Sequence, residues 1–98
     1  MIAELDSLLD DLPRKEQFSL GEQIRRASLS ISCNIAEGSG RKGKKEAIYF
    51  YNVAKGSVYE TVSLLEVMKN KGYVGIATHE RIYEICEEIA GMLSGLMR

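Results

Sequence analysis

From Lys44 to Lys71 an apolar or small side chain returns every three or four positions, at Ala47, Phe50, Tyr51, Ala54, Val58, Thr61, Leu64, Leu65 and Met68. Residues spaced in this way share one face of an α-helix and no face of a strand. The segment predicts a single helix of about 28 residues, roughly 42 Å long at 1.5 Å per residue. A striped helix of that length must lie against other helices, and a chain of 98 residues has room for one core.

Three other segments keep the same period. Leu20, Ile24, Ala27, Ile31 and Ile35 form one face of a second helix, for which Ser19 and Glu22 supply a capping-box start. Ile82, Ile85, Cys86, Ile89, Met92, Leu93 and Leu96 stripe a fourth helix, with Thr78 as its expected cap. Leu5, Leu8, Leu9 and Leu12 mark a first helix that Pro13 ends after about 11 residues, roughly 16 Å. Lys69, Lys71 and then Gly72 give the long helix a cationic end and a residue that tolerates the left-handed conformation.

The stretch "ASLSISCNI" also alternates at period two, as a strand would. No second segment alternates, and a lone strand leaves its backbone groups unpaired. Ser28, Ser30, Ser32 and Cys33 are therefore read as small side chains that let a neighbouring helix approach. The expected fold is all-α, an antiparallel up-and-down four-helix bundle in one domain over residues 1–98. Its first helix is too short to cover the other three, and the apolar surface left over predicts a homo-oligomer.

No apolar run approaches the roughly 18 residues of a membrane span, and "MIAELDSLLDDLP" is too acidic for a signal peptide, so the expected location is the cytoplasm. Cys33 and Cys86 lack a CxxC spacing and sit at apolar helical positions, which reads as two buried free thiols. The net charge of −1 is unevenly laid out. Residues 1–22 hold six acidic and two basic side chains, residues 23–45 one and six, and residues 46–98 seven and five. Attraction of a polyanion needs only a locally positive surface, which the middle block provides.

Most of that charge lies in "SCNIAEGSGRKGKKE", residues 32–46. Lys44 and Lys45 fall in the first turn of the long helix, where the backbone already carries about half a positive charge. With Arg41 and Lys42 they suggest an anion-receiving elbow for phosphate or a partner carboxylate. The competing reading is a solvated charge run with Glu46 as counterion. No strand precedes the glycines, so they form no phosphate-loop or dinucleotide fingerprint. Arg25 and Arg26 join Arg41, Lys42, Lys44 and Lys45 as candidate nucleic-acid-binding residues; they point about 100° apart, and Glu22, one turn before both, is the competing ion-pair partner.

Asn34 and Glu37 read as polar residues that satisfy a helix end or fix packing, and Gly56 as a point of close helix approach. Tyr49, Phe50 and Tyr51 suit core and interface packing better than base stacking. His79, at the polar start of the fourth helix, reads as a surface residue. It has no catalytic partner at a diagnostic spacing and no companions for a metal, so neither an enzyme nor a cofactor is expected.

The segments "QIRRASLSISCNIAEGSGRKGKKE", "AKGSVYE" and "KNKGYV" resemble the bacterial four-helix-bundle family that includes the proteins encoded in ribosomal RNA intervening sequences. The accessory variability determinant of diversity-generating retroelements belongs to the same group. The resemblance covers about residues 13–98 and is most specific at "NIAEGSGR". It implies a non-catalytic bundle that assembles into a ring-like homopentamer and, in the retroelement member, binds nucleic acid and a reverse transcriptase. The matching positions are Arg25, Arg26, Asn34, Glu37, Gly38, Gly40, Arg41, Glu60, Gly72 and Tyr73. The chain departs from the pattern in its shorter first helix, in Gly43 where Ser is common, in Val62 where a second Glu is common, and in its near-neutral charge. A protein-interaction scaffold that binds no nucleic acid is the alternative function.

Overall fold

The structure, a computed structural model, describes residues 3–98. It is built of four helices, with no strand among the described residues. The first, α1, is Ala3–Asp10. The second, α2, is continuous through Arg14–Glu16, a π-helical turn at Gln17–Gly21, and Glu22–Ser39. Then come α3 (Lys44–Asn70) and α4 (Ile76–Leu96). The long helices α2, α3 and α4 run up, down and up, and α1 packs beside α2 and α4. The all-α four-helix bundle expected from the apolar period is the fold observed.

Two helix starts differ from the expected ones. The chain turns into α2 directly after Pro13, whose fixed φ of −53° is already close to helical, so Ser19 lies inside the helix. Its hydroxyl donates to Glu16 Oε1 at 3.2 Å instead of capping anything. Likewise α4 begins at Ile76 with the extended Gly75 before it, and Thr78 sits inside, accepting from Arg81 Nη2 at 3.0 Å. At the end of α3 the expected reversal is present, with Gly72 at φ +80°.

The core follows the stripes. Leu5, Leu9, Ile24, Ile31, Val58, Leu65, Met68, Ile82, Cys86 and Leu93 are each at most 1% exposed. Thr61 is also fully buried and donates its hydroxyl proton to Ser57 O at 2.8 Å, so a polar group enters the core without an unpaired atom. Where α2 crosses α3 the small residues meet as expected: Ser30 Oγ lies 2.8 Å from Ser57 Oγ. Asn34 Nδ2 donates to Ser30 O at 2.8 Å, which fixes the same crossing.

The short first helix has the anticipated consequence. α1 has 8 residues and α3 has 27, about 12 Å against about 40 Å. α1 is tied to α2 by Asp10–Arg25 and to α4 by Glu4–Arg81. Among the described residues nothing continues it toward the other end, and the flanking strips of α2 and α4 lie open there. Leu29 is 63% exposed, Met92 67% and Leu96 52%. Met92 and Leu96 keep the apolar period but are not in the core. Cys33 is exposed for the same reason, so only Cys86 is the buried thiol expected of both; Ser32 is exposed beside it. The radius of gyration of 14.2 Å exceeds the roughly 12.6 Å of a compact chain of this length, as the long axis of 44 Å requires.

Candidate nucleic-acid interface

The elbow is made possible by a glycine packed against a tyrosine. Gly38, buried in the last turn of α2, faces the ring of Tyr51 on α3, and a Cβ there would lie 2.6 Å from Tyr51 Cε1. The two helices therefore approach closely enough for residues 40–43 to reverse the chain. Tyr51 is buried, and its hydroxyl lies 3.2 Å from Ser39 Oγ. Gly40 caps α2, its N–H donating back to Ala36 O and Glu37 O.

The basic residues divide by partner. Arg41 is held from two sides, Nη2 at 2.7 Å from Glu37 Oε2 and Nη1 at 3.7 Å from Glu46 Oε1. Its guanidinium also lies 4.8 Å from the centre of the Phe50 ring, a cation–π distance. Tyr49 meets Phe50 edge to face at 5.2 Å and is 63% exposed. Lys42, Lys44 and Lys45 are exposed and have no hydrogen-bond or ion-pair partner among the described residues. Gly43 precedes α3 without a side-chain cap, so the first N–H groups of the helix point outward beside three lysines. The elbow is thus an aromatic–guanidinium stack next to an uncapped, lysine-rich helix start.

The other expected site residues lie apart from it. Arg26 pairs with Glu22 at 2.8 Å and Arg25 with Asp10 at 2.9 Å, both well along α2 from the elbow. Glu60 is exposed on α3 and shares a polar groove with Gln23, Arg26 and Ser30. Gly56 is exposed, and a Cβ there would meet nothing within 4 Å, so it is no point of close approach within the protomer.

Two polar clusters were invisible in the sequence. Glu16, 7% exposed, accepts from Lys71 Nζ at 3.1 Å and from the Tyr73 hydroxyl at 2.9 Å, joining the start of α2 to the turn after α3. The Lys71 ammonium and then the Tyr73 hydroxyl hold its carboxyl below the usual glutamate range, and the same bond raises Tyr73. His79 is buried rather than on the surface, because the early start of α4 places it a full turn inside, facing α3. Its Nε2 lies 3.1 Å from Glu66 Oε2 but is not aligned for a hydrogen bond. Glu66 is itself lowered, first by Lys69. The partners in both clusters lie too far apart in the chain for any motif to flag them.

Since the folded pKa of Glu16 is depressed, its contribution is present above the unfolded value of about 4.3 and is lost as pH falls through the folded value. Thermal unfolding followed across pH 7 to 2 is expected to show a falling Tm below about pH 4.5. Glu16→Gln should have a lower Tm at pH 7 and a flatter acid limb. Parallel limbs for the two proteins would show that Glu16 does not carry the effect.

Among the described residues no helix is long and apolar enough to cross a membrane, and no group of three His, Cys, Asp or Glu could hold a metal ion. The fold is similar to the crystal structure of a protein of unknown function from the S23 ribosomal protein family of Bacteroides thetaiotaomicron, with a TM-score of 0.83 at 24% identity, over 96% of this chain and 84% of that one. No curated protein matches the sequence. The model of the 23S rRNA-intervening sequence protein family matches residues 2–95. With nearly the whole chain matched, and the bundle and elbow in place, the chain belongs to the 23S rRNA-intervening sequence protein family.

Proposed function

We propose that this protein is a non-catalytic, oligomeric bundle that binds structured nucleic acid through the elbow between α2 and α3. The observation that carries the reading is the set of three unpartnered lysines, Lys42, Lys44 and Lys45, at the uncapped start of α3 beside the Tyr49–Phe50–Arg41 stack. Backbone N–H groups and lysines bind phosphate, and an exposed aromatic ring accepts an unpaired base. The family's link to 23S rRNA makes a structured RNA the first ligand to try. Repeating the elbow around a ring of five copies, the number implied by the family resemblance, turns weak contacts into an avid one although each chain has a net charge of −1. A reverse transcriptase is a further partner in this reading, by the same resemblance.

A second reading, a scaffold that binds only protein, draws on Arg41, whose charge is already engaged by Glu37 and Glu46. Titration of fluorescent 23S rRNA hairpins at a series of salt concentrations separates the two. On the first reading the wild type binds at low salt. Replacing Lys42, Lys44 and Lys45 with Gln then lowers the slope of log K against log salt by about 2 to 3, since each lost phosphate contact removes about 0.7 to 0.9. No binding by the wild type at low salt would leave the scaffold.

A further inference from the structure

We propose that the groove between α3 and α4, on the face away from α1, is a docking site for an arginine side chain of a protein partner, held by Tyr59, Tyr83 and Glu87. The groove encloses a cavity of about 280 Å³. That is below the roughly 300–1,000 Å³ of pockets that enclose whole ligands, and suits one long side chain. Its floor is apolar and fixed: Val58 is 1% exposed and Cys86 0%. Its walls are the half-exposed rings of Tyr59 and Tyr83, which no core packing requires to be open.

Charge is unevenly placed along the groove. At the end toward the elbow, Lys55 Nζ donates to Ser94 Oγ at 2.6 Å. Glu87 lines the groove itself, one turn from Tyr83, and beyond it stands Glu66, paired with Lys69 at 3.1 Å and beside the buried His79. From Arg81 to Arg98 helix α4 carries no cation, while Glu84, Glu87 and Glu88 are exposed along it. His79 backs the Tyr83 ring, nearly parallel to it at 6.3 Å, and so fixes the wall.

An occupant must therefore combine an apolar stem with a cationic head directed away from Lys55. A guanidinium fits better than an ammonium. It is planar enough to stack on tyrosine and presents several donors to the free lone pairs of one carboxylate. The assignment is independent of the elbow and stands whether or not that segment binds nucleic acid.

The test titrates the intact protein with the capped pentapeptide Ala-Ala-Arg-Ala-Ala and with its citrulline and norleucine counterparts, followed by NMR. Protection of Cys86 from a small neutral thiol reagent gives a second readout, in a Cys33→Ser background. The arginine peptide is expected to bind with a Kd on the order of 1 mM, to shift the Tyr59 and Tyr83 ring signals and to slow labelling of Cys86. The neutral peptides should bind at least tenfold more weakly, and Glu87→Gln should lose the same factor while Lys55→Gln tightens binding. Glu87 is exposed, so its variant should keep its helix content and its assembled mass. Equal binding of all three peptides, or no shift at 10 mM, would overturn the proposal. So would a fall in assembled mass for Glu87→Gln, which would assign the groove to contacts between copies of this chain.

Discussion

Replacing Gly38 with valine should lower the Tm by about 12–24 °C, the shift that corresponds to about 3 kcal/mol in a domain of this size. The cause is local and steric. A Cβ at Gly38 lies 2.6 Å from Tyr51 Cε1, 2.9 Å from Cδ1 and 3.2 Å from the backbone oxygen of Ala47. Tyr51 is 7% exposed and cannot swing aside without opening the core, and the Ala47 carbonyl belongs to α3 itself. The extra methyls of valine would separate α2 from α3 at the elbow and break the Ser39–Tyr51 contact. Gly38→Ala should be milder, because the helix propensity of alanine returns about 1 kcal/mol. Gly56→Ala is the internal control. A Cβ there meets nothing, so that change should stabilise the protomer by about 0.5–1 kcal/mol. Circular dichroism melts of the three variants check the signs. A Gly38→Val protein that melts with the wild type would show that the elbow does not depend on this contact.

These two glycines mark what could be read from the chain alone. Both stand in helical segments, and periodicity places each on a helix without saying which side faces a neighbour. The four helices were legible because burial of an apolar stripe repeats over many residues and survives local noise. Their starts were not, since Pro13 and Gly75 begin helices through backbone geometry while Ser19 and Thr78 only have the right side chains. Burial of single residues failed in both directions. Cys33 has core chemistry but lies where α1 has ended, and His79 has surface chemistry but lies where α3 and α4 close over it.

The elbow was legible as a charge run, yet only the folded arrangement separates Arg41, paired to Glu37 and Glu46, from the three lysines that have no partner among the described residues. The Glu16–Lys71–Tyr73 cluster joins residues 55 and 57 positions apart. Such contacts are decided by how the helices dock, so no local pattern encodes them.

Changing Leu29 and Met92 together to glutamate should convert an assembled protein into protomers of 10.9 kDa. Leu29 on α2 and Met92 on α4 flank the position that α1 would fill if it were longer, and they are 63% and 67% exposed. Leu96 at 52% and the exposed Cys33 extend the same open surface. Isolated apolar side chains on a surface are ordinary, but these flank the slot on α2 and α4 that α1 leaves open, and a second copy seated in that slot is the expected cover. If copies meet there head to tail, the contact recurs at every junction of the ring. A carboxylate placed in it must shed its water without a partner at each junction, which costs far more than the lost apolar contact. Neither side chain packs in the protomer core, so helix content should be unchanged. Light scattering at micromolar concentration gives the answer. A ring of five has a mass of about 54 kDa, five times that of the chain, and the double variant should fall to the single-chain value. A wild type already at 10.9 kDa would defeat the assembly, and a variant that stays assembled would move the interface to another face of the bundle.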